Sequence, residues 1–407
     1  MGNTIKTLTA GDITRKALEY LHNSLVFCKV INREYNDKFA VTGAKNGGYL
    51  EIREPNQFTV RTGAVMDAQD ITETTQQLVV ATQKGVDVNF STAELTLSLD
   101  DFGERILAPA MSRLAAEVER TVISTCYPAV YNFENTTFTT KPTLADVLAA
   151  RALLQQGLAP TSDRYFMVDA LAANAIITDG KSLFNQASEI ARQYSQGLIG
   201  RVAGFDFYES EMTPVHTNGT RTTAGTANLS LVVNGDDHLT LTQTNTETFG
   251  VGDVITVAGV YAVNPETKQA YPHLQQFTVA AAYTGTGGAA DCDVYPLIYK
   301  SGAKQNVYCA DWTETSAATV VDLAGSSGTA STAYTNSLAF HKNAFTMATA
   351  DLVMPQGVDF AARKVIDGIS LRIVRAYDIN NDKMPCRIDV LFGAKTIRPD
   401  WACRVCS

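Results

Sequence analysis

The sequence predicts an α+β body interrupted by a small antiparallel β-barrel, and three observations carry that expectation. Amphipathic helix patterns and strand patterns both occur in the chain up to about Tyr208. From Thr213 to about Ala282 helical periodicity stops, and short apolar runs recur between turn signals at spacings of ten or so, the pattern of a barrel or sandwich. After Thr335 strand patterns return at Leu338–Ala344, Ile369–Tyr377 and Arg387–Leu391. A β-module flanked on both sides by α+β sequence is an insertion in one domain. The length of 407 residues fits two or three domains, or one domain with a large insertion.

The elements follow in order. Ile13, Ala17, Leu21, Leu25 and Cys28 fall three and four apart and predict one helix over Thr9–Val30. Gly47-Gly48 opens an extended region in which Tyr49–Glu54, Phe58–Val60, Leu78–Val80 and Val86–Phe90 read as strands. The polar stretch from Arg61 to Gln77 makes this a β-arm with a polar end. Such an arm is marginal in water and wants a neighbour to lie on. Ser98 and Asp101 fit a capping box, and Phe102, Ile106, Ala110, Leu114, Val118 and Val122 recur every fourth residue. They predict a helix of about 40 Å reaching Tyr127, with a bend near Pro109 because proline lacks the backbone donor.

A second helix is expected over Thr143–Gln156, with Leu144, Val147, Leu148 and Leu153 inward. Arg164–Val168 reads as a strand, Ala170–Ile177 and Leu183–Tyr194 as helices, and Leu198–Tyr208 as strand again. The barrel runs are Leu229–Val233, Leu239–Leu241, Val254–Val257, Val260–Val263 and Phe277–Ala280, with Val294–Tyr299 expected to close it.

Composition excludes several classes. Hydrophobic content of 45% against 18% charged residues supports a packed core, not a disordered chain. The net charge of -9 disfavours a DNA-coating protein. The charge is uneven: Phe205–Tyr295 holds ten acids against two bases, Met1–Lys45 seven bases against four acids, and the stretch from Ala361 nine bases against five acids. No run approaches the ~18 apolar residues of a membrane span, and Lys6, Asp12, Arg15, Lys16 and Glu19 break any signal-peptide apolar region. A soluble product made in the cytosol is expected. The seven cysteines are too sparse for a disulfide framework and read as reduced, buried groups.

The chemical motifs are weak. Gly250-Val-Gly-Asp253 opens no helix and reads as a turn, as does Asn234-Gly-Asp-Asp237. Cys403-x-x-Cys406 lacks the partners of a metal site. None of the five histidines sits in a nucleophilic or metal motif. No catalytic residue, cofactor or metal is assigned, although a triad assembled from distant positions would escape this reading.

Three separated segments carry a resemblance: Gly47–Ala64 with Gln69-Asp70 and Gly85–Thr121; Ser337–Gln356; and Arg375–Cys406. In order and spacing the chain resembles the major capsid proteins of tailed bacteriophages, most closely the insertion-domain coat proteins of Salmonella short-tailed phages. Gly250–Val279 is similar to the inserted barrel of that family. The resemblance implies the Hong Kong 97-type capsid fold, with residues 1–46 as N-arm and 47–91 as extended loop. It places the peripheral domain at 92–142 with its spine helix at 98–127, the first part of the axial domain at 143–212 and the inserted barrel at 213–301. The stretch 302–407 would return to the axial and peripheral domains.

The implied function is a non-enzymatic shell subunit. It would form pentamers and hexamers of an icosahedral head around double-stranded DNA, through a scaffolded procapsid that expands on maturation. Implied partners are further copies of itself, a separate scaffolding protein, a portal protein, weakly held DNA and, optionally, a decoration protein. The implied location is the virion, with assembly in the host cytoplasm. Lys6, Arg15 and Lys16 are candidate scaffold contacts. Asp236 and Asp237 are candidates for the loop that bridges capsomers, with Asp253 as a substitute, and Pro109 is the candidate hinge. The alternatives are a secreted or surface β-rich adhesin, favoured by the Thr/Gly-rich middle, and a hydrolase with a dispersed triad.

Overall fold

The computed structural model describes residues 10–34, 48–66, 68–70, 73–91, 108–134, 141–180, 201–220, 225–243, 246–315, 318–323, 331–366, 369–381 and 383–406. Lys6, the Ser98 capping box, Phe102, Ile106 and the expected helix Leu183–Tyr194 lie outside them. The chain divides into two compact units: one from Met1–Ile52, Thr75–Thr125 and Phe345–Lys395, the other from Arg53–Thr74, Cys126–Ala344 and Thr396–Ser407. No described helix is long and apolar enough to cross a membrane.

The first unit is built on an antiparallel sheet ordered Phe345–Ala350, Lys383–Thr396, Ile369–Arg375, Phe360–Ile366, with Thr82–Ser91 paired along the long strand Lys383–Thr396. The long pairing explains the alternation at Val86–Phe90: Val86 faces Ile388 and Val88 faces Cys386. Tyr49–Arg53 pairs with Thr75–Val79 to start the arm. Gly393 sits where the backbone of the arm's return strand crosses closely, since a Cβ there would lie 1.9 Å from the carbonyl of Val79. Gly393→Ala is therefore expected to destabilise the protein by about 1–3 kcal/mol, the range of an overpacked interior. Urea unfolding checks it, and a midpoint equal to wild type would show the crossing to be soft.

The expected helix Thr9–Val30 is two helices, Ala10–Ser24 and the single turn Phe27–Val30. The break has a cause in the helix that runs Ala108–Cys126. Its Glu119 is 3% exposed and accepts the backbone amides of Val26, at 3.0 Å, and of Phe27. Those amides are satisfied by a carboxylate, and the helix restarts there. Ala17, Leu21, Leu25 and Cys28 are buried as the periodicity predicts. In Ala108–Cys126 the inward stripe is Met111, Leu114, Ala115, Val118, Val122 and Cys126. Pro109 is exposed in the first turn of the described part, and the segment that would form the other side of a bend lies outside it.

The second unit contains a mixed sheet ordered Phe133–Glu134, Ala402–Cys406, Ala333–His341, Arg164–Val168, Phe205–Glu209, Arg201–Val202. Helices Leu144–Gln156 and Ala170–Gly180 cover one face. A capping box between Thr143 and Asp146 starts the former. Its buried stripe is Leu144, Val147, Ala150 and Leu154, whereas Leu148 is 47% exposed. The small Ala150 completes the 3.6-residue period that the larger leucines obscured. Arg201–Val202 and Phe205–Glu209 form a hairpin whose two turn residues, Ala203 and Gly204, have φ of +54° and +85°.

The barrel is closed by six strands: Ala270–Val279, Ala289–Ile298, Asp236–Thr242, Thr226–Ala227, Ala318–Asp322 and Val254–Val263, which pairs back to the first. Its core holds Leu239, Leu241, Ile255, Val257, Phe277, Val279, Val294 and Val320. The two runs Val254–Val257 and Val260–Val263 are one strand, with a register shift around Gly259 at φ +83°. Two expectations change. Leu229–Leu231 is a 3-10 turn with Leu231 55% exposed. The ring closes through Ala318–Asp322, beyond the Val294–Tyr299 segment and beyond residue 301. That strand, Ala-Thr-Val-Val-Asp, lies past the segment expected to close the barrel.

Candidate functional site

The barrel meets the mixed sheet at a buried polar cluster. The Gly250–Asp253 turn is fixed by its last side chain. Asp253 is fully buried and its Oδ2 accepts the amides of Gly250 at 2.7 Å and Gly219 at 3.0 Å. Its Oδ1 lies 2.7 Å from Nε2 of His216, itself 4% exposed. The other ring nitrogen of His216 is 3.2 Å from the hydroxyl of Tyr127. Gly252, at φ +94°, leaves room for the His216 and Pro128 side chains, each 3.2 Å from where a Cβ would stand.

Arg404, on the C-terminal strand, enters the same place. It is fully buried, donates from Nη1 to the carbonyl of Gly252 at 2.7 Å, and lies 6.0 Å and 5.8 Å from the ring centroids of Tyr127 and Phe133. Burial lowers its pKa, and the negative charge of Asp253 opposes that shift. Two further contacts join barrel and sheet. Gln276 exchanges hydrogen bonds with the backbone of Phe133 at 2.7 and 2.9 Å, and Thr278 donates to the carbonyl of Pro128 at 2.7 Å.

A carboxylate, an imidazole and a hydroxyl in line have the outline of a triad. The chemistry is wrong for one: the hydroxyl is a phenol whose pKa burial raises, and His216 and Asp253 are sealed from solvent. The cluster is a structural junction. Sequence reading missed it because its members lie far apart in the chain. The one local signal is an arginine inside the apolar run Ala402-Cys-Arg-Val-Cys406. Cys403 and Cys406 are three apart on a strand and face opposite cores, so they cannot converge on one metal.

The expected surface residues are dispersed. Arg15 and Lys16 are exposed on the first helix, Arg15 paired with Glu19 at 3.0 Å. Asp236 is only 6% exposed: it accepts the amide of Val233 at 3.0 Å and shapes the turn, so its place at a loop tip is corrected. Asp237 is 76% exposed in its side chain and is held below the usual carboxylate range by the hydrogen bond from His238. His238 Nδ1 lies 3.1 Å from both carboxylates, and these bonds raise its pKa. Asp253, being buried, is excluded as a substitute bridging residue.

The described residues thus form an α+β body with a closed barrel inserted in it. The sequence from residue 12 to 403 matches the family model described as "P22 coat protein - gene protein 5", and the chain belongs to that family, a tailed-phage major capsid protein and not an enzyme. No curated protein sequence matches it. Solved structures similar in fold include a chain from Mycobacterium phage Che8, 13% identical with a TM-score of 0.48 over 94% of this chain and 90% of that one. Another is the capsid of cyanophage P-SCSP1u, at 11% and 0.43 over 88% and 83%. A third is the mature capsid of bacteriophage PhiM1, at 14% and 0.42 over 88% and 82%.

Proposed function

We propose that this coat protein tiles an icosahedral phage head as pentamers and hexamers enclosing double-stranded DNA, through a procapsid that is built on a separate scaffolding protein and expands on maturation. The observation that carries the reading is the arm. Phe58, Val60, Val65 and Met66 are 58%, 95%, 85% and 81% exposed. They sit on irregular backbone within the described residues 54–66, tied back by the side chain of Gln69, which bonds the amide and carbonyl of Thr59 at 2.8 and 2.7 Å. Apolar side chains on so thin a ribbon gain burial only against another chain, and here that chain is a second subunit.

In this reading the Hong Kong 97-type parts keep the boundaries expected from the sequence, with the barrel insertion continuing to Asp322. Arg15 and Lys16, with Lys6, meet the scaffold. Asp237 bridges capsomers from a turn shaped by Asp236. The acidic barrel faces outward, and the near-neutral remainder contains DNA without gripping it. Portal protein and an optional decoration protein complete the virion, which assembles in the host cytoplasm.

Co-expression with the cognate scaffold is expected to yield megadalton particles under negative-stain microscopy. Val60→Asp combined with Met66→Asp is expected to leave small species whose melting temperature is unchanged, because both residues are solvated in the subunit. Only monomers from the wild type under scaffolded conditions would overturn the shell reading, and normal particles from the double variant would overturn the role of the arm. For the hinge, Pro109→Ala procapsids are expected to resist heat-driven expansion. Expansion at the wild-type temperature removes Pro109 from that role.

A further inference from the structure

In the first unit, residues 25–32 cross from the helix Ala108–Cys126 to the edge of the antiparallel sheet. At one end the Glu119 carboxylate of that helix, 3% exposed, accepts the amides of Val26, at 3.0 Å, and of Phe27. At the other end Asn32 extends the sheet beyond its edge strand Phe345–Ala350. The Asn32 amide donates to the carbonyl of Phe345 at 3.2 Å, and its carbonyl accepts the Met347 amide at 3.1 Å and the Thr346 hydroxyl at 3.2 Å. Between the two ends Phe27, Cys28 and Ile31 are buried, and the Phe27 ring lies 5.6 Å from that of Phe345.

These ties resist what apolar packing does not. Apolar contact is non-directional, so by itself it lets a helix slide along a sheet. A buried carboxylate that holds two backbone amides has one register. Burial raises the Glu119 pKa, and the amides of Phe27 and Val26 oppose that shift. Pulling the helix away would leave the carboxylate and both amides buried without partners, each a large cost. Partial separation is therefore the least favourable state, and opening of the whole segment at once is favoured. Two residues earlier, Glu117 pairs with Lys84 of strand Thr82–Ser91 at 3.0 Å. Positions two apart point about 200° around a helix, so the helix is tied on two sides.

We propose that residues 25–32 form a strap that fixes the register of helix Ala108–Cys126 on the sheet and opens as one cooperative piece before that helix shifts. The helix Ala10–Ser24, with Arg15 and Lys16 exposed, leads directly into the strap, so a partner that pulls on it pulls on the strap. In the shell, the strap opens before the particle expands. That last step alone rests on the shell reading given above.

Hydrogen–deuterium exchange of the full-length subunit tests the strap without particles. Thr346→Val removes one hydroxyl at the Asn32 end and keeps the side-chain shape. It is expected to speed exchange by about two- to tenfold across the whole strap, the distant amides of Val26 and Phe27 included. Helix Leu144–Gln156, in the other unit, should keep its wild-type rate. Glu119→Ala, at the opposite end, is expected to speed exchange of the Asn32 amide by more than about tenfold, because it removes a charged acceptor. Faster exchange confined to the substituted end, or no change in either variant, would overturn the strap. Thr346→Val procapsids are expected to expand at a lower temperature than wild type. Faster exchange across the strap with an unchanged expansion temperature would overturn its hold on the helix. Failure of the wild type to form particles would count against the shell reading and leave the exchange result to decide the strap.

Discussion

Asp253→Ala is expected to lower the stability of the protein by about 3–5 kcal/mol, the scale for breaking a buried charged pair by removing one partner. The carboxylate receives two backbone amides and an imidazole nitrogen within 2.7–3.0 Å, all in a place without solvent. Alanine leaves those donors buried and unpaired, each at a cost of about 1–3 kcal/mol. It also removes the anion whose field favours the charge of the fully buried Arg404. In urea the midpoint should fall with an unchanged slope, because the surface exposed on unfolding is the same. A loss below about 1 kcal/mol would mean that the Gly250–Asp253 turn and the barrel junction are held by apolar packing alone. Asp237→Ala, on the exposed neighbouring turn, should lie within about 0.5 kcal/mol of wild type.

Much of the fold was legible where one face of an element is buried and period decides. Ala17, Leu21, Leu25 and Cys28, and later Leu114, Val118 and Val122, sit inward as their spacing requires. The barrel announced itself through turns: Gly235 and Gly252 both take positive φ beside its strands. The reading failed where small or polar residues carry the structure. Ala150 replaces Leu148 on the buried stripe, and the strand Ala318–Asp322, whose apolar residues are interrupted by Thr319, closes the ring beyond the expected end of the barrel. It failed again where tertiary contacts override local pattern, as when Glu119 takes the amides that would have continued the first helix.

The candidate site was the least legible part. Loop position suggested that both aspartates of Asn234–Asp237 face outward, but strand alternation turns Asp236 in and Asp237 out. The residues that hold the barrel to the body, His216, Asp253 and Arg404, are separated by 37 and then by 151 positions. A single sequence holds no signal joining them. What it does hold is a local conflict: a charged side chain in an apolar strand. Such conflicts mark places where tertiary structure supplies a partner.

Stability should also fall as pH rises toward neutrality, through carboxyls that burial makes reluctant to ionise. Glu134, on the edge strand Phe133–Glu134, has its pKa raised to about 7, first by burial and then by the charge of Asp146. Asp146 is fixed in place because its Oδ2 accepts the Thr143 amide and hydroxyl at 2.7 and 2.8 Å. Asp400 is raised to about 6 by burial, with Arg398 opposing. Both folded pKa values lie above the unfolded ones, near 4.5 and 3.8. Their contribution is therefore fully present below about pH 4 and lost as pH rises through 6 to 7. Glu134→Gln removes its share. At pH 8 the variant should be more stable than wild type by about 2–3 kcal/mol, after allowance for the partial exposure of the side chain, and at pH 4 by close to nothing. Urea midpoints of the two proteins, measured side by side across that range, decide the matter. A difference that stays constant from pH 4 to pH 8 would show that Glu134 ionises as freely in the folded subunit as in the unfolded chain.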